Sequence, residues 1–193
     1  MKRLPPLILA SASPRRRELL RLLGHPFRTV PSRALEPPFP GGDPAEYVVE
    51  LARAKARQVA AGRRRPATVL GADTVVVLDD RVFGKPRDGG EAAAMLEALA
   101  GRAHRVITGV VLVAPDGEEA ASVQTKVTFR PLTAAQIARY VATGEPLDKA
   151  GAYAIQGRGA VLVTGLDGDY FNVVGLPVAT VAELLARRGY PVL

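Results

Sequence analysis

Three consecutive arginines, Arg15, Arg16 and Arg17, follow Ser13-Pro14 at a predicted helix start. Cations in a first helical turn face the positive end of the helix dipole, at a cost of about 0.3–1 kcal/mol each. A phosphate would offset that cost by accepting hydrogen bonds from the Ser11 and Ser13 hydroxyls, first-turn N–H groups and arginine forks. The other reading is that the arginines splay into solvent. Asp73 stands in an apolar run, Gly71-Ala72-Asp73-Thr74 within residues 68–78, where a carboxylate is costly to bury unless paired or bound to a metal. It could hold Mg²⁺ or activate water, or it could cap a strand end; strand-end carboxylates in α/β sheets often face the ligand crevice. Lys55 shares a predicted helix with Arg53 and Arg57, so a solvated basic face is its plain reading. Lys85 lies between Gly84 and Pro86, which restrict the backbone around one ammonium group. Asp148-Lys149 reads equally as a surface ion pair. Glu36 has no physical distinction by itself.

The elements that must position these groups follow from periodicity and punctuation. Residues 7–10 read as a short buried strand, and Ser13 and Pro14 as the N-cap and first position of a helix running to Gly24. Residues 27–30 read as a second strand, followed by a Pro/Gly-rich loop over 31–42 that contains Glu36. Asp43-Pro44-Ala45-Glu46 has the capping-box pattern and opens a helix with Tyr47, Val48, Leu51, Ala52, Ala56 and Val59 on or near one face. Residues 68–78 form a predicted central strand that turns at Asp79-Asp80 toward Val82-Phe83, with a helix over 91–100 beyond. Residues 105–113 and 123–129 read as strands flanking the Pro115-Asp116-Gly117 turn. Thr133-Ala134-Ala135-Gln136 is another capping box, residues 145–159 have no clear period, 160–163 read as a strand, and Pro177 opens a last helix. Strands alternate with helices, but at least one hairpin interrupts the crossovers, so a mixed sheet is expected.

Composition bounds the answer further. The chain has 193 residues with 26 Lys+Arg against 19 Asp+Glu, a net charge of +7. Hydrophobic residues make up 48%, an ordinary globular balance that excludes a disordered tail or coiled rod. Without cysteine there is no disulfide scaffold, thiol nucleophile or cysteine zinc site. The two histidines, His25 and His104, are far apart in sequence and give no metal-ligand spacing. The apolar stretch over 7–10 falls short of a signal-peptide core or a membrane span, so a cytoplasmic protein without a membrane partner is expected. The positive charge invites a nucleic-acid reading, but 5% aromatic content with no Trp offers few stacking platforms, and no nucleic-acid partner is expected.

Taken in order, Ser11-Ala12-Ser13-Pro14-Arg15-Arg16, Lys55-Ala56, Gly71-Ala72-Asp73-Thr74, Gly84-Lys85-Pro86, Arg102-Ala103-His104-Arg105-Val106-Ile107-Thr108-Gly109, Asp148-Lys149-Ala150-Gly151-Ala152-Tyr153-Ala154-Ile155-Gln156-Gly157 and Val174-Gly175-Leu176-Pro177 resemble the Maf family of nucleoside triphosphate pyrophosphatases. The resemblance runs from the first strand to the last helix and implies a single Maf-like domain over residues 1–193. Its implied fold is an elongated mixed β-sheet flanked by helices, two lobes around a cleft, similar to inosine triphosphate pyrophosphatases. The implied reaction cleaves a nucleoside triphosphate between its α- and β-phosphates with a divalent cation, Mg²⁺ or Mn²⁺, in a homodimer, and keeps unwanted nucleotides from being incorporated.

Carried over by motif, Asp73 becomes the proton acceptor or metal-linked base and Glu36 a metal ligand, while Ser11, Arg15, Arg16, Lys55 and Lys85 grip the triphosphate. Ser13 joins them through its hydroxyl. Gln156 after Gly151-Ala152-Tyr153 resembles the branch acting on dTTP and UTP, with Arg15, Thr74 and Gln156 at its specificity positions. A carboxamide both donates and accepts, which suits a pyrimidine edge. Leu35 departs from the family pattern, in which an acidic residue often stands beside the matched Glu36, and Asn172 falls where relatives vary. The alternative reading is a nucleotide-binding regulator of septum formation without strong hydrolysis.

Overall fold

The computed structural model describes residues 4–191. Its sheet has seven strands: β1 (Leu7–Leu9), β2 (Phe27–Thr29), β3 (Thr68–Leu78), β4 (Arg81–Phe83), β5 (Ala103–Ala114), β6 (Gly117–Phe129) and β7 (Val163–Asp167). Six strands run in the order β2-β1-β3-β5-β6-β7, and β4 pairs with β3 off this path. β1 is parallel to both β2 and β3, whereas β4 lies antiparallel to β3 and β7 antiparallel to β6. The sheet is mixed, as the interrupted crossovers require.

The helices are α1 (Pro14–Arg21), α2 (Pro44–Ala61), α3 (Gly89–Leu99), α4 (Ala134–Val141), α5 (Tyr170–Val174) and α6 (Val178–Arg187). Their starts largely follow the sequence, except that the capping box expected at Asp43 and Glu46 is replaced by a cap of Asp43 on the Ala45 N–H. The Ser13 hydroxyl accepts from the Arg16 N–H at 3.4 Å, and the Asp43 carboxylate accepts from the Ala45 N–H at 2.9 Å. Thr133 and Gln136 complete a reciprocal capping box, satisfying two donors that the helix itself leaves open.

Two departures have local causes. The strand expected over 160–163 begins only at Val163, because Gly157–Leu162 forms a 3₁₀ turn whose first N–H groups are taken by a side chain described below. β6 starts at Gly117 rather than 123; its first half is Glu- and Ala-rich and lacks an apolar stripe, and Glu118 and Glu119 hold ion pairs with arginines of α2 and the C-terminal segment.

Packing divides into two compact units. One comprises the chain up to Asp73, Thr108–Val123 and the chain from Gly175 on; the other comprises Thr74–Ile107 and Gln124–Val174. In the first, Ile8, Ala10, Ala56, Val59 and Val69 form one buried cluster. In the second, the core gathers around Phe83, Leu96, Leu99, Phe129, Tyr140 and Tyr153. Among the described residues no helix is long and apolar enough to cross a membrane.

Close approach of α2 to the sheet determines what that helix can present. A Cβ at Gly71 would lie 2.2 Å from the Ala52 carbonyl oxygen, and one at Gly109 2.6 Å from the Val48 carbonyl carbon. The helix backbone therefore rests directly on β3 and β5 at these two glycines.

Candidate active site

The buried residues of α2 are Val48, Leu51, Ala52, Lys55, Ala56 and Val59, a succession of three- and four-residue steps that defines one helical face. Lys55 occupies that face although it is charged. Arg53 and Arg57 turn away and pair with Glu118 at 2.5 and 2.9 Å. The solvated basic face thus holds for Arg57 alone: Arg53 is largely covered by its ion pairs, and Lys55 is 8% exposed.

The Lys55 ammonium forms ion pairs with Asp73 on β3 and with Glu36, the latter at 2.7 Å to Oε1. Asp73 is 9% exposed, and Glu36 is half exposed in its loop. Two carboxylates thus converge on one ammonium, which is how a charged cluster survives near an apolar core. Hard oxygen donors of this kind suit Mg²⁺ or Mn²⁺, which retain waters and take further ligands from substrate phosphates. By donor chemistry Asp73 and Glu36 fit such a cation. Among the described residues no group of three or more His, Cys, Asp or Glu side chains forms an all-protein metal cage.

Glu36 reaches Lys55 because α2 holds its loop. The Tyr47 hydroxyl donates to the Pro37 carbonyl at 2.7 Å, and the Tyr47 ring packs edge-on against Phe39. Gln58 Oε1 accepts from the Ser32 hydroxyl and the Arg33 N–H, each at 3.1 Å. Burial, with the fields of Asp73 and Glu36, pushes the Tyr47 phenol above its ordinary pKa, so it remains a donor. Tyr47→Phe is expected to cost on the order of 1 kcal/mol of stability, measured by urea unfolding.

Arg16 is anchored more than the sequence indicates: its Nε donates to the Gly175 carbonyl at 2.8 Å and its Nη1 to the Ala72 carbonyl at 2.9 Å. Desolvation lowers its pKa, opposed by Asp73 and Glu36. The guanidinium ties the start of α1 to the backbone immediately before Asp73. Arg15 is half-buried and Arg17 exposed. Ser11 is buried, and its Oγ accepts from the Ser13 N–H at 3.1 Å.

Thr74, Lys85 and Gln156 belong to the second unit. Lys85 and Gln156 are exposed and Thr74 is half-buried. The Gly84 carbonyl accepts from the Gly151 N–H at 3.0 Å, linking the Lys85 loop to the segment that carries Gln156. Lys149 pairs with Asp148 at 2.5 Å and donates to the Glu145 carbonyl at 2.8 Å; its side chain is largely covered, so the plain surface-pair reading fits only the exposed Asp148. Asn172 is buried and donates to the Val106 carbonyl at 3.0 Å and to Thr125 Oγ1 at 2.9 Å, so it secures the core of its unit. Leu35 is 88% exposed and adds no charge beside Glu36.

Tyr47 and Gln58, which hold the loop carrying Glu36, are residues that sequence reasoning missed. Tyr47 carried a signal, as a polar-tipped aromatic on the apolar side of a helix.

A sequence model described as Maf-like protein matches residues 6–188. A dTTP/UTP pyrophosphatase from Moorella thermoacetica is 61% identical over 188 residues, covering 96% of each chain. One from Symbiobacterium thermophilum is 53% identical over 186 residues, covering 96% of this chain and 95% of that protein. Among solved structures, a HAM1 protein from Coxiella burnetii aligns over 95% of this chain and all of its own, with 15% identity and a TM-score of 0.51, a likeness of fold. Ordered motifs, mixed sheet and matches over nearly the full length agree: this chain belongs to the Maf family.

Proposed function

We propose that the chain hydrolyses dTTP and UTP to the nucleoside monophosphate and pyrophosphate. The observation that carries this reading is the buried Lys55 held between Asp73 and Glu36, a charge cluster built for exchange with a polyanion. The activity named for the two relatives, each more than half identical along its length, supports it.

In this reading water attacks the α-phosphorus, the bond from it to the oxygen bridging the β-phosphate breaks, and pyrophosphate leaves. Asp73 accepts the proton that water gives up. Positioning and charge neutralisation supply most of the acceleration in such a reaction. Triphosphate charge competes with Asp73 and Glu36 for the Lys55 ammonium, so nucleotide entry frees carboxylate oxygens as it is gripped. Ser11 and Ser13 use their oxygens as acceptors from backbone N–H groups and can still offer their hydroxyl protons to phosphate. Arg15, Arg16 and Lys85 add positive charge, and Arg16 also holds the strand bearing Asp73. A divalent cation held by Asp73 and Glu36 would neutralise phosphate charge and polarise the α-phosphoryl group.

Gln156 and Thr74 are assigned to the base, the Gln156 carboxamide matching both donor and acceptor on a pyrimidine edge. The same proposal takes residues 1–193 as one catalytic domain, since the backbone crosses between the two packing units four times. It also includes the homodimer and cytoplasmic location implied by the resemblance.

The test is pyrophosphate release from a panel of canonical and modified nucleoside triphosphates with Mg²⁺ or Mn²⁺. Hydrolysis of dTTP and UTP ahead of purine nucleotides is expected, and Gln156→Glu should weaken the two pyrimidine activities selectively. Nucleotide binding without pyrophosphate release would overturn the enzymatic reading in favour of a regulator.

A further inference from the structure

Gln156 is exposed in a stretch without strand or α-helix, yet a specificity residue must be held still. The backbone on both sides of it is clamped from one place. Glu145 Oε1 accepts from the Gly159 N–H at 2.9 Å and from the Tyr140 hydroxyl at 2.8 Å, and Glu145 Oε2 accepts from the Arg158 N–H at 3.0 Å. The Tyr140 oxygen in turn accepts from the Ala154 N–H at 3.2 Å. One carboxylate and one phenol therefore fasten the chain before Gln156 and after it.

The two glycines that follow make room for the clamp. A Cβ at Gly157 would lie 2.7 Å from Glu145 Oε2, and one at Gly159 would lie 2.5 Å from the Tyr140 oxygen and 2.3 Å from the Ala154 carbonyl oxygen. Burial alone would push the Glu145 carboxyl up, but the Gly159 N–H, the Tyr140 hydroxyl, the Arg158 N–H and Lys149 hold it below the usual carboxylate range. A second support lies just upstream, where Tyr153 is hydrogen-bonded to His104 Nε2 at 2.8 Å. Burial lowers the His104 pKa to about 4, so the pair is neutral at pH 7.

We infer that Glu145, acting through Tyr140 and the backbone of residues 154–159, is the positioning residue that sets the Gln156 carboxamide and with it the preference for pyrimidine nucleotides. This rests on Gln156 as the reader of the base. The carboxylate serves two N–H groups and a phenol; a carboxamide has one acceptor oxygen and would turn an N–H₂ toward a backbone donor.

Full-length Glu145→Gln, Tyr140→Phe and Gln156→Glu are compared with the unchanged chain for kcat and KM on dTTP, UTP and dGTP with Mg²⁺, with melting curves to establish folding. Glu145→Gln should raise KM for dTTP and UTP about tenfold, the scale of one lost charge-assisted hydrogen bond, with a much smaller change in kcat. The dTTP-to-dGTP ratio of kcat/KM should fall accordingly. Tyr140→Phe, which keeps the ring, should move the same ratio in the same direction by less. An unchanged ratio in Glu145→Gln beside a shifted one in Gln156→Glu would overturn the positioning role alone. An unchanged ratio in Gln156→Glu would overturn the base-reading assignment and the inference resting on it. Equal loss on all three nucleotides would reduce Glu145 to a general structural role and overturn the inference.

Discussion

Asp73→Asn is expected to cut dTTP and UTP turnover by at least about 10², the low end of a general-base contribution, while leaving the fold intact. Asparagine matches the shape of aspartate and can still accept a hydrogen bond from the Lys55 ammonium, but it cannot take up a proton from water. The Lys55 charge keeps Glu36 as its ion-pair partner at 2.7 Å, so the substitution does not strand a buried cation. That retained pair is why stability and activity should separate in this variant. Pyrophosphate release measures the first quantity and thermal unfolding the second. Near-normal turnover in a folded Asp73→Asn protein would rule Asp73 out as the base; a collapse in melting temperature would show that its charge serves the fold instead.

How far the site could be read beforehand depended on whether its residues sit in periodic elements. Asp73 was visible because a carboxylate inside an apolar β-strand run stands out, and Ser13 because a cap followed by proline has few other uses. Lys55 was visible in principle: Val48, Leu51, Ala52, Ala56 and Val59 define a stripe, and position 55 falls inside it. The flanking arginines suggested a solvated face, yet residues two positions away point elsewhere on a helix, so they say nothing of where Lys55 points. Glu36 could be placed only by resemblance. Its loop has no period, and what holds it are hydrogen bonds from Tyr47 to Pro37 and from Ser32 and Arg33 to Gln58, contacts between segments that no local pattern connects. The same holds for the segment around Gln156, where Glu145 and Tyr140 act across chain separations. A turn fastened by a distant side chain reads in sequence as absence of structure, and here it also displaced the expected strand from 160–163 to Val163–Asp167.

Gly71→Ala should be strongly destabilising, for a reason that also ties the fold to the site. The added methyl would stand 2.2 Å from the Ala52 carbonyl oxygen and 3.0 Å from the Ala56 N and Cβ atoms. These are atoms of a helix body, so no side-chain rotation relieves the overlap, and α2 must lift off β3. Overpacking of this kind costs about 3 kcal/mol when backbone has to move, which for a domain of this size lowers Tm by roughly 6–12 °C. Activity should fall further than stability alone explains, because Lys55 rides on the displaced helix and Asp73 stands two residues beyond Gly71 on the strand. Gly62→Ala supplies the comparison: that glycine has φ −77°, and a Cβ there meets only ordinary contacts at 3.7 and 3.9 Å, so stability should change by less than about 0.5 kcal/mol. If Gly71→Ala melted with the unchanged chain and kept its turnover, α2 would not be seated on β3 at this glycine, and the placement of Lys55 against Asp73 would lose its structural basis.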